Sequence, residues 1–298
     1  MINKRRYRLL FLYYCGISRQ MIKRILQHDP TMSLIYYLTP SEMHQLLSIS
    51  MEKAVRLYKQ LHQRNIVKQI FSDEKEFHIL TIFDDKYPTQ LREIPDPPLV
   101  LFAIGNLNLL RNHRTISVIG TRHPSEEAHQ KIDHIVRPLI LNGWVIVSGM
   151  AIGIDSMAHI ATLTEKGKTI AVLGSGLNHI YPKRNQTLFH SIAKHGLVVT
   201  EYLPETQPKP YQFPERNRII SGLSYATLVI EAKEKSGTLI TVDQALDQGR
   251  EVYAVPGSPH LPETIGCHKM IQEGAKLVKD VSDIDMDWEE FGREWLQP

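Results

Sequence analysis

The sequence predicts an α/β protein: an extended Rossmann-like, mostly parallel sheet with helices on both faces, preceded by a small all-α domain. Three observations predict it. From residue 115 onward, short, near-continuous apolar runs alternate with helical sequence, the pattern of parallel strands buried on both faces. Residues 1–72 carry helical spacing and no strand-like alternation. Glycines, hydroxyls and charges gather just past the ends of the apolar runs, at the edge where open α/β sheets bind ligands.

The helical part comes first. Leu9, Leu10, Leu12 and Tyr13, then Ile17, Met21, Ile22, Ile25 and Leu26, follow helical spacing. Thr39-Pro40-Ser41-Glu42 reads as a helix start, with Thr39 as N-cap, Pro40 at N1 and Glu42 closing a capping box. Ser50 is placed to cap the next helix, with Ala54, Val55, Leu57, Tyr58 and Leu61 on its apolar face. Residues 73–112 are a transition. His78–Phe83 and Leu99–Ile104 read as strands, separated by Tyr87-Pro88 and the proline-rich Ile94–Pro98.

The repeating pattern follows. Strands are expected at Thr115–Ile119, Trp144–Val147, Thr169–Leu173, Leu197–Thr200, Thr227–Ile230 and Glu251–Val255. Helices are expected up to Leu141, through Asp155–Leu163, at Asn185–His195 and at Thr241–Gly249. A loop holding Pro204, Pro208, Pro210 and Pro214 leads into Arg216-Asn217-Arg218. The resulting divisions are a helical domain over 1–72, a Rossmann-like domain over 73–279 and an acidic tail over 280–298.

Bulk properties exclude several classes. The chain has 298 residues and 42% hydrophobic content, ordinary for a soluble globular protein of more than one domain. No apolar run is long enough to span a bilayer. The N-terminal Met1–Ser18 has a basic flank and a short Tyr-rich apolar part without a small-residue cleavage site. It reads as a helix rather than a leader, and the expected location is the cytoplasm. Cys15 and Cys267, in different regions, support neither a disulfide framework nor a cysteine zinc site. Net charge is +3, distributed as +9 over residues 1–72, zero over 73–279 and −6 over 280–298. A basic head suits a polyanion partner, and equally a solvated helical surface.

Tests for familiar chemistry mostly fail. Gly174-Ser175-Gly176 is followed by His179 where a dinucleotide fingerprint needs glycine. Gly167-Lys168-Thr169 runs into a strand, not a helix, so it is no P-loop. Asp155 and His159 stand four apart on a helix but lack an evident third metal ligand, which favours a capping Asp and a structural His. Glu201 and Glu231 both end strands, yet nothing positions a nucleophile between them. No cofactor and no metal are expected.

Phosphate recognition remains. Ser236-Gly237-Thr238 follows a strand and offers hydroxyls and free N–H groups to an anion. Arg216 and Arg218 stand upstream as possible bidentate clamps, and Asn217 and Arg218 equally suit a helix cap. Arg122, Lys183 and Asn185 complete the candidate set, with Gly120, Gly149, Gly174 and Gly176 along the ligand edge. Tyr181, Tyr211 and Phe213 are interleaved. A basic track with stacking surfaces is what single-stranded nucleic acid requires.

Five stretches resemble the DNA-processing protein family DprA/Smf: Val118–Arg122; Ser148–Asp155 with Ala158-His159; Thr169–Leu177 with Tyr181-Pro182 and Asn185; Phe213–Leu223; and Glu231-Ala232 with Ser236–Thr241 and Ala254–Gly257. Tyr87-Pro88 and Asp96–Pro98 match the family's entry segment. The resemblance implies single-stranded DNA binding without catalytic turnover, homodimerisation, and loading of the RecA recombinase onto incoming DNA during natural transformation. It carries the DNA contacts over to Arg122, Lys183, Asn185, Arg216, Arg218, Ser236, Gly237 and Thr238, and makes the N-terminal helices similar to a sterile-alpha-motif domain. Ile152 stands where the family often has Arg, Asn178 where Asp is usual, and Gly266–Lys269 departs from the usual loop. The C-terminal winged helix of many members is expected to be missing, since about one acidic helix follows Val278. The alternative is a nucleotide phosphoribohydrolase of the lysine-decarboxylase-like fold. That enzyme's motif needs a Glu shortly after Gly-Thr, where Thr241 and Asp243 stand here.

Overall fold

Helix-start chemistry in the sequence is realised in the first part of the computed structural model, which describes residues 4–63 and 65–295. Residues 1–3 and 64 of the predicted helical domain, and 296–298 of the predicted tail, lie outside the described residues. The chain divides into two units, Met1–Tyr87 with Pro98–Leu101, and Pro88–Pro97 with Phe102–Pro298.

The first unit holds α1 (Lys4–Tyr14), α2 (Arg19–His28), α3 (Pro40–Leu47), α4 (Met51–Leu61), α5 (Asn65–Glu76) and β1 (His78–Thr81). Ser18, Thr39 and Ser50 each accept a backbone N–H at a helix start, and Thr39–Glu42 forms the complete capping box. Leu9, Leu10, Leu12, Ile22, Ile25, Met43 and Leu47 fill the core between the helices. Arg6 ties this unit's ends together by ion pairs to Glu74 (2.7 Å) and Asp84 (3.2 Å).

The second unit is an α/β layer structure. Its elements are α6 (Thr89–Arg92), β2 (Val100–Gly105, from Phe102 on), β3 (Thr115–Ile119), α7 (Ala128–Lys131), α8 (Arg137–Leu141), β4 (Val145–Ser148), α9 (Ile154–Thr164), β5 (Lys168–Val172), α10 (Gln186–His195) and β6 (Leu197–Thr200). Then come α11 (Gln212–Gly222), β7 (Ala226–Val229), α12 (Thr238–Asp247), β8 (Glu251–Ala254), α13 (Ile265–Gln272), β9 (Lys276–Leu277) and α14 (Ser282–Trp295). A π-helical turn, Ile132–Val136, joins α7 to α8.

The strands of this unit lie in the order β2-β6-β5-β4-β3-β7-β8-β9. All pairs are parallel except β2 with β6, where Phe102 faces Thr200. The sheet is therefore mostly parallel, as the continuous apolar runs predict. Ile116, Val118, Ile146, Ala226 and Leu228 are fully buried beneath the helices. β3 sits between β4 and β7, so the chain winds one way from β3 through β4, β5 and β6 and the other way through β7, β8 and β9. Loops after β3 and β7 part at this switch point, which opens a crevice at the strands' C-terminal edge.

Two elements depart from the expectation. Residues 212–222 form helix α11 instead of continuing the proline-rich loop. Pro214 falls in the first turn, where its missing N–H has no intrahelical partner to lose. Helix α12 starts at Thr238, three residues ahead of the expected Thr241, with Gly237 at its N-cap. The acidic stretch past residue 280 is α14, whose Trp288 packs against Trp144 and Tyr225 with ring centroids 5.2 and 5.0 Å apart.

Candidate nucleic-acid interface

A cavity of about 430 Å³ fills the switch-point crevice. The loop after β3 gives it Gly120, Thr121 and Arg122; the segment after β7 gives Lys233, Lys235, Ser236, Gly237 and Thr238. Helix α11 contributes Phe213, Arg216, Asn217 and Ile220. A second cavity of about 580 Å³ lies on the other side of Arg122 and His123, reaching Ser156, Arg184 and Asn185. A small third cavity joins Arg122 to Tyr181 and Phe213. Arg122 is exposed and lines all three.

The loop carrying Arg122 is pinned at both ends. Thr121 N–H donates to Glu231 O (2.8 Å), and Ile154 N–H donates to Thr121 O (3.2 Å). The close packing requires small residues. A Cβ on Gly153, at φ +86°, would fall 2.3 Å from Thr121 O, and one on Gly120 would meet Ile154 and Glu231 O below 3 Å. Beyond Arg122, the Ser125 N–H and hydroxyl donate to Glu231, whose carboxylate also takes Lys131 Nζ at 2.8 Å.

Arg216 and Arg218 differ from the two-clamp expectation. They stand two apart on a helix, so their side chains leave α11 in different directions. Arg216 is buried and its guanidinium donates to Gly149 O (2.6 Å), to Val172 O and to Asn217 Oδ1 (3.1 Å). It thus ties together the C-terminal ends of β4 and β5 while showing one face to the cavity. Burial draws the guanidinium down to about 10, against the pull of Asp155. Asp155, in the first turn of α9, accepts the N–H groups of Gly149 (3.2 Å) and Ala151 (3.3 Å). Burial raises its carboxyl above the usual range, with Arg216 opposing. Arg218 lies outside the cavity and is buried in ion pairs with Glu201 (2.6 Å) and Asp96 (3.5 Å).

The remaining candidates separate into open and engaged groups. Lys183 is exposed on the turn Lys183–Asn185 ahead of α10. Asn185 lines the second cavity, and its amide donates to Met150 O (2.8 Å) and Ser156 Oγ (2.9 Å). Ser236 Oγ is buried without a hydrogen-bond partner, and Gly237 has open space where a Cβ would stand. Gly149, Gly174 and Gly176 touch protein instead. A Cβ on each would meet Arg216, Phe213, or the carbonyls of Leu203 and Pro204. Tyr181 and Phe213 form a tilted pair 5.3 Å apart, and Tyr211 is exposed.

Glu201 and Glu231 do not act as a carboxylate pair: each serves its own ion pair, with Arg218 and Lys131. His159 is fully buried against Thr169. Among the described residues, no group of His, Cys, Asp or Glu is placed to hold a metal ion. Sequence reasoning missed Lys233 and Lys235. The signal was their position, three and one residues before Ser236.

Comparison with known proteins gives this edge a context. The family described as DNA recombination-mediator protein A matches residues 78–289. The chain belongs to that family. It is similar to the DNA processing protein DprA of Bacillus subtilis (strain 168), at 41% identity over 285 residues, covering 95% of this chain and 94% of that protein. The X-ray structure of DNA processing protein A from Streptococcus pneumoniae superposes with a TM-score of 0.82 at 37% identity, covering 96% of this chain and 98% of that one. DNA processing protein A from Helicobacter pylori, solved to describe a single-stranded DNA binding mode, gives a TM-score of 0.63 at 29% identity. It covers 70% of this chain and 94% of that one. The fold of this chain is thus shared with these relatives. No helix among the described residues is long and apolar enough to cross a membrane.

Proposed function

We propose that this protein binds single-stranded DNA along its Arg122 edge. The observation that carries the reading is the position of Arg122. It is exposed, has no carboxylate partner among the described residues, and forms the wall between two cavities at the sheet's switch point. Backbone phosphates would meet Arg122, Lys183, Ser236, Gly237 and Thr238. Tyr181 and Phe213 offer ring faces to bases. Arg216, Asn217, Asn185 and Arg218 serve by holding the strand ends and loops in place. The single-stranded DNA binding described for the Helicobacter pylori relative supports this reading.

The same reading places the protein in the cytoplasm, in DNA processing during natural transformation, as a homodimer that hands its strand to the RecA recombinase. Homodimerisation and recombinase loading rest on the family resemblance. Two grooves on a dimer would share one strand and gain avidity. Engagement of Glu201 and Glu231 in ion pairs supports binding without turnover, in preference to a phosphoribohydrolase.

The test is fluorescence anisotropy with an unphosphorylated single-stranded oligonucleotide, comparing wild type with Arg122→Ala. Salt-sensitive, sequence-tolerant binding by wild type and a loss of at least tenfold in the variant are expected. Equal binding by the two proteins would overturn the assignment.

A further inference from the structure

The switch-point cavity is lined by several basic side chains, not all of them engaged by carboxylates. Of the basic side chains lining it, Arg216 interacts with Asp155, and Lys233 pairs with Glu263 at 3.2 Å. Arg122 and Lys235 have no carboxylate partner among the described residues, and both are exposed. In the same cavity lining, the Ser236 hydroxyl oxygen is buried with no hydrogen-bond partner among the described residues. Ten-residue helix α12 points its N-terminus at the same place, and nothing stands within 4 Å of where a Gly237 Cβ would be. Ile119, Ile220, Ile240 and Phe213 supply apolar lining to the same cavity.

An internal phosphodiester carries one negative charge. A phosphate monoester carries nearly two at neutral pH. Two unpaired cations with a helix N-terminus match the monoester. The volume of about 430 Å³ is within the range of a small-molecule site.

We propose that this cavity takes a terminal nucleoside monophosphate, with its phosphate on Arg122, Lys235 and Ser236 and its base against the apolar lining. The proposal rests on the reading of Arg122 as a nucleic-acid contact. The same chemistry is offered by the phosphorylated end of a strand and by a free mononucleotide.

Binding of unphosphorylated, 5′-phosphorylated and 3′-phosphorylated oligonucleotides of one sequence would be measured by anisotropy, and of dAMP alone by calorimetry. The expected result is an advantage of about tenfold for one phosphorylated end, abolished by Lys235→Ala, or saturable dAMP binding abolished by the same substitution. An end-phosphate advantage identifies the strand terminus as the source. dAMP binding without that advantage identifies the free nucleotide. Equal binding of all three oligonucleotides together with no dAMP binding would overturn the proposal and leave strand binding intact. If no oligonucleotide binds, the strand reading fails, and the dAMP measurement alone decides the cavity's ligand.

Discussion

Glu231 takes both the backbone N–H and the hydroxyl of Ser125, at 2.9 and 2.5 Å. A fully buried carboxylate at the end of β7 therefore fixes the loop that leaves β3, three residues past Arg122. Lys131 balances its charge at 2.8 Å. The exposed arginine owes its position to a carboxylate that never meets solvent.

Glu231→Gln should cost about 3 kcal/mol, because it leaves the Lys131 ammonium with only the longer contact to Glu127 at 3.6 Å as counter-charge. Urea unfolding measures that loss. In conditions where the variant remains folded, single-stranded DNA binding should also weaken, since the Arg122 loop loses its anchor. Unchanged binding in a destabilised variant would mean that the loop holds its shape without Glu231.

Arg122 and Arg218 should give opposite signatures. Arg122→Ala should lower affinity and reduce the slope of log K against log salt by about 0.7, the effect of one lost phosphate contact on a single strand. Arg218→Met removes the guanidinium that pairs with Glu201 and Asp96. It should reduce stability and leave the salt slope unchanged. A salt titration of both variants separates them, and equal slope changes would place Arg218 on the DNA.

Acid should destabilise the fold through His159. Thr169 donates its hydroxyl proton to Ile146 O, so the His159 Nδ1–H must be the donor toward Thr169 Oγ1 (2.6 Å). That leaves Nε2 bare and buried without a partner. Burial, with Arg216 nearby, holds the ring's pKa down at about 3 instead of the ordinary 6.5. The unfolded chain takes up the proton first, so stability is fully present above pH 6.5 and falls as the pH drops toward 3. His159→Leu should flatten that part of the pH–stability curve. An unchanged curve would assign the acid sensitivity to other groups.

Asp285→Ala should destabilise the second unit by about 2–3 kcal/mol, since the carboxylate accepts from Arg114 (2.6 Å), Asn142 (2.5 Å) and Trp144 Nε1 (2.8 Å). Single-stranded DNA affinity should not change. Thermal unfolding and anisotropy on the same preparation check both halves.

The sheet was legible because its strands are apolar on both faces, and that pattern survives without any knowledge of partners. Thr115–Ile119 and Leu197–Thr200 form strands with the bounds their apolar runs predict. Helix α11 was hidden by the prolines before it, which argue for a loop until Pro214 is seen to occupy a first turn. At the site, residue type identified the basic positions but could not tell exposed from engaged. Arg122 and Arg218 look equivalent in a sequence. Only the fold brings Glu201 and Asp96 to one and leaves the other open. The glycines were similarly ambiguous: Gly237 leaves space for a ligand, while Gly176 leaves space for the Leu203 and Pro204 carbonyls.

Helix α14 carries its acids to the strands' starting ends, where Asp285 meets Arg114 and Trp144 just ahead of β3 and β4. Arg122, Lys183 and Lys235 lie beyond the finishing ends of the strands. The candidate DNA contacts of the second unit thus gather at one end of its strand axis, while at the other end Asp285 is matched by Arg114. A polyanion approaching from solution is drawn most strongly to the cations that have no carboxylate partner, Arg122 and Lys235 at the finishing ends. Neutralising acids of α14 that make no structural contact would raise the net positive charge and speed association with a polyanion at low salt.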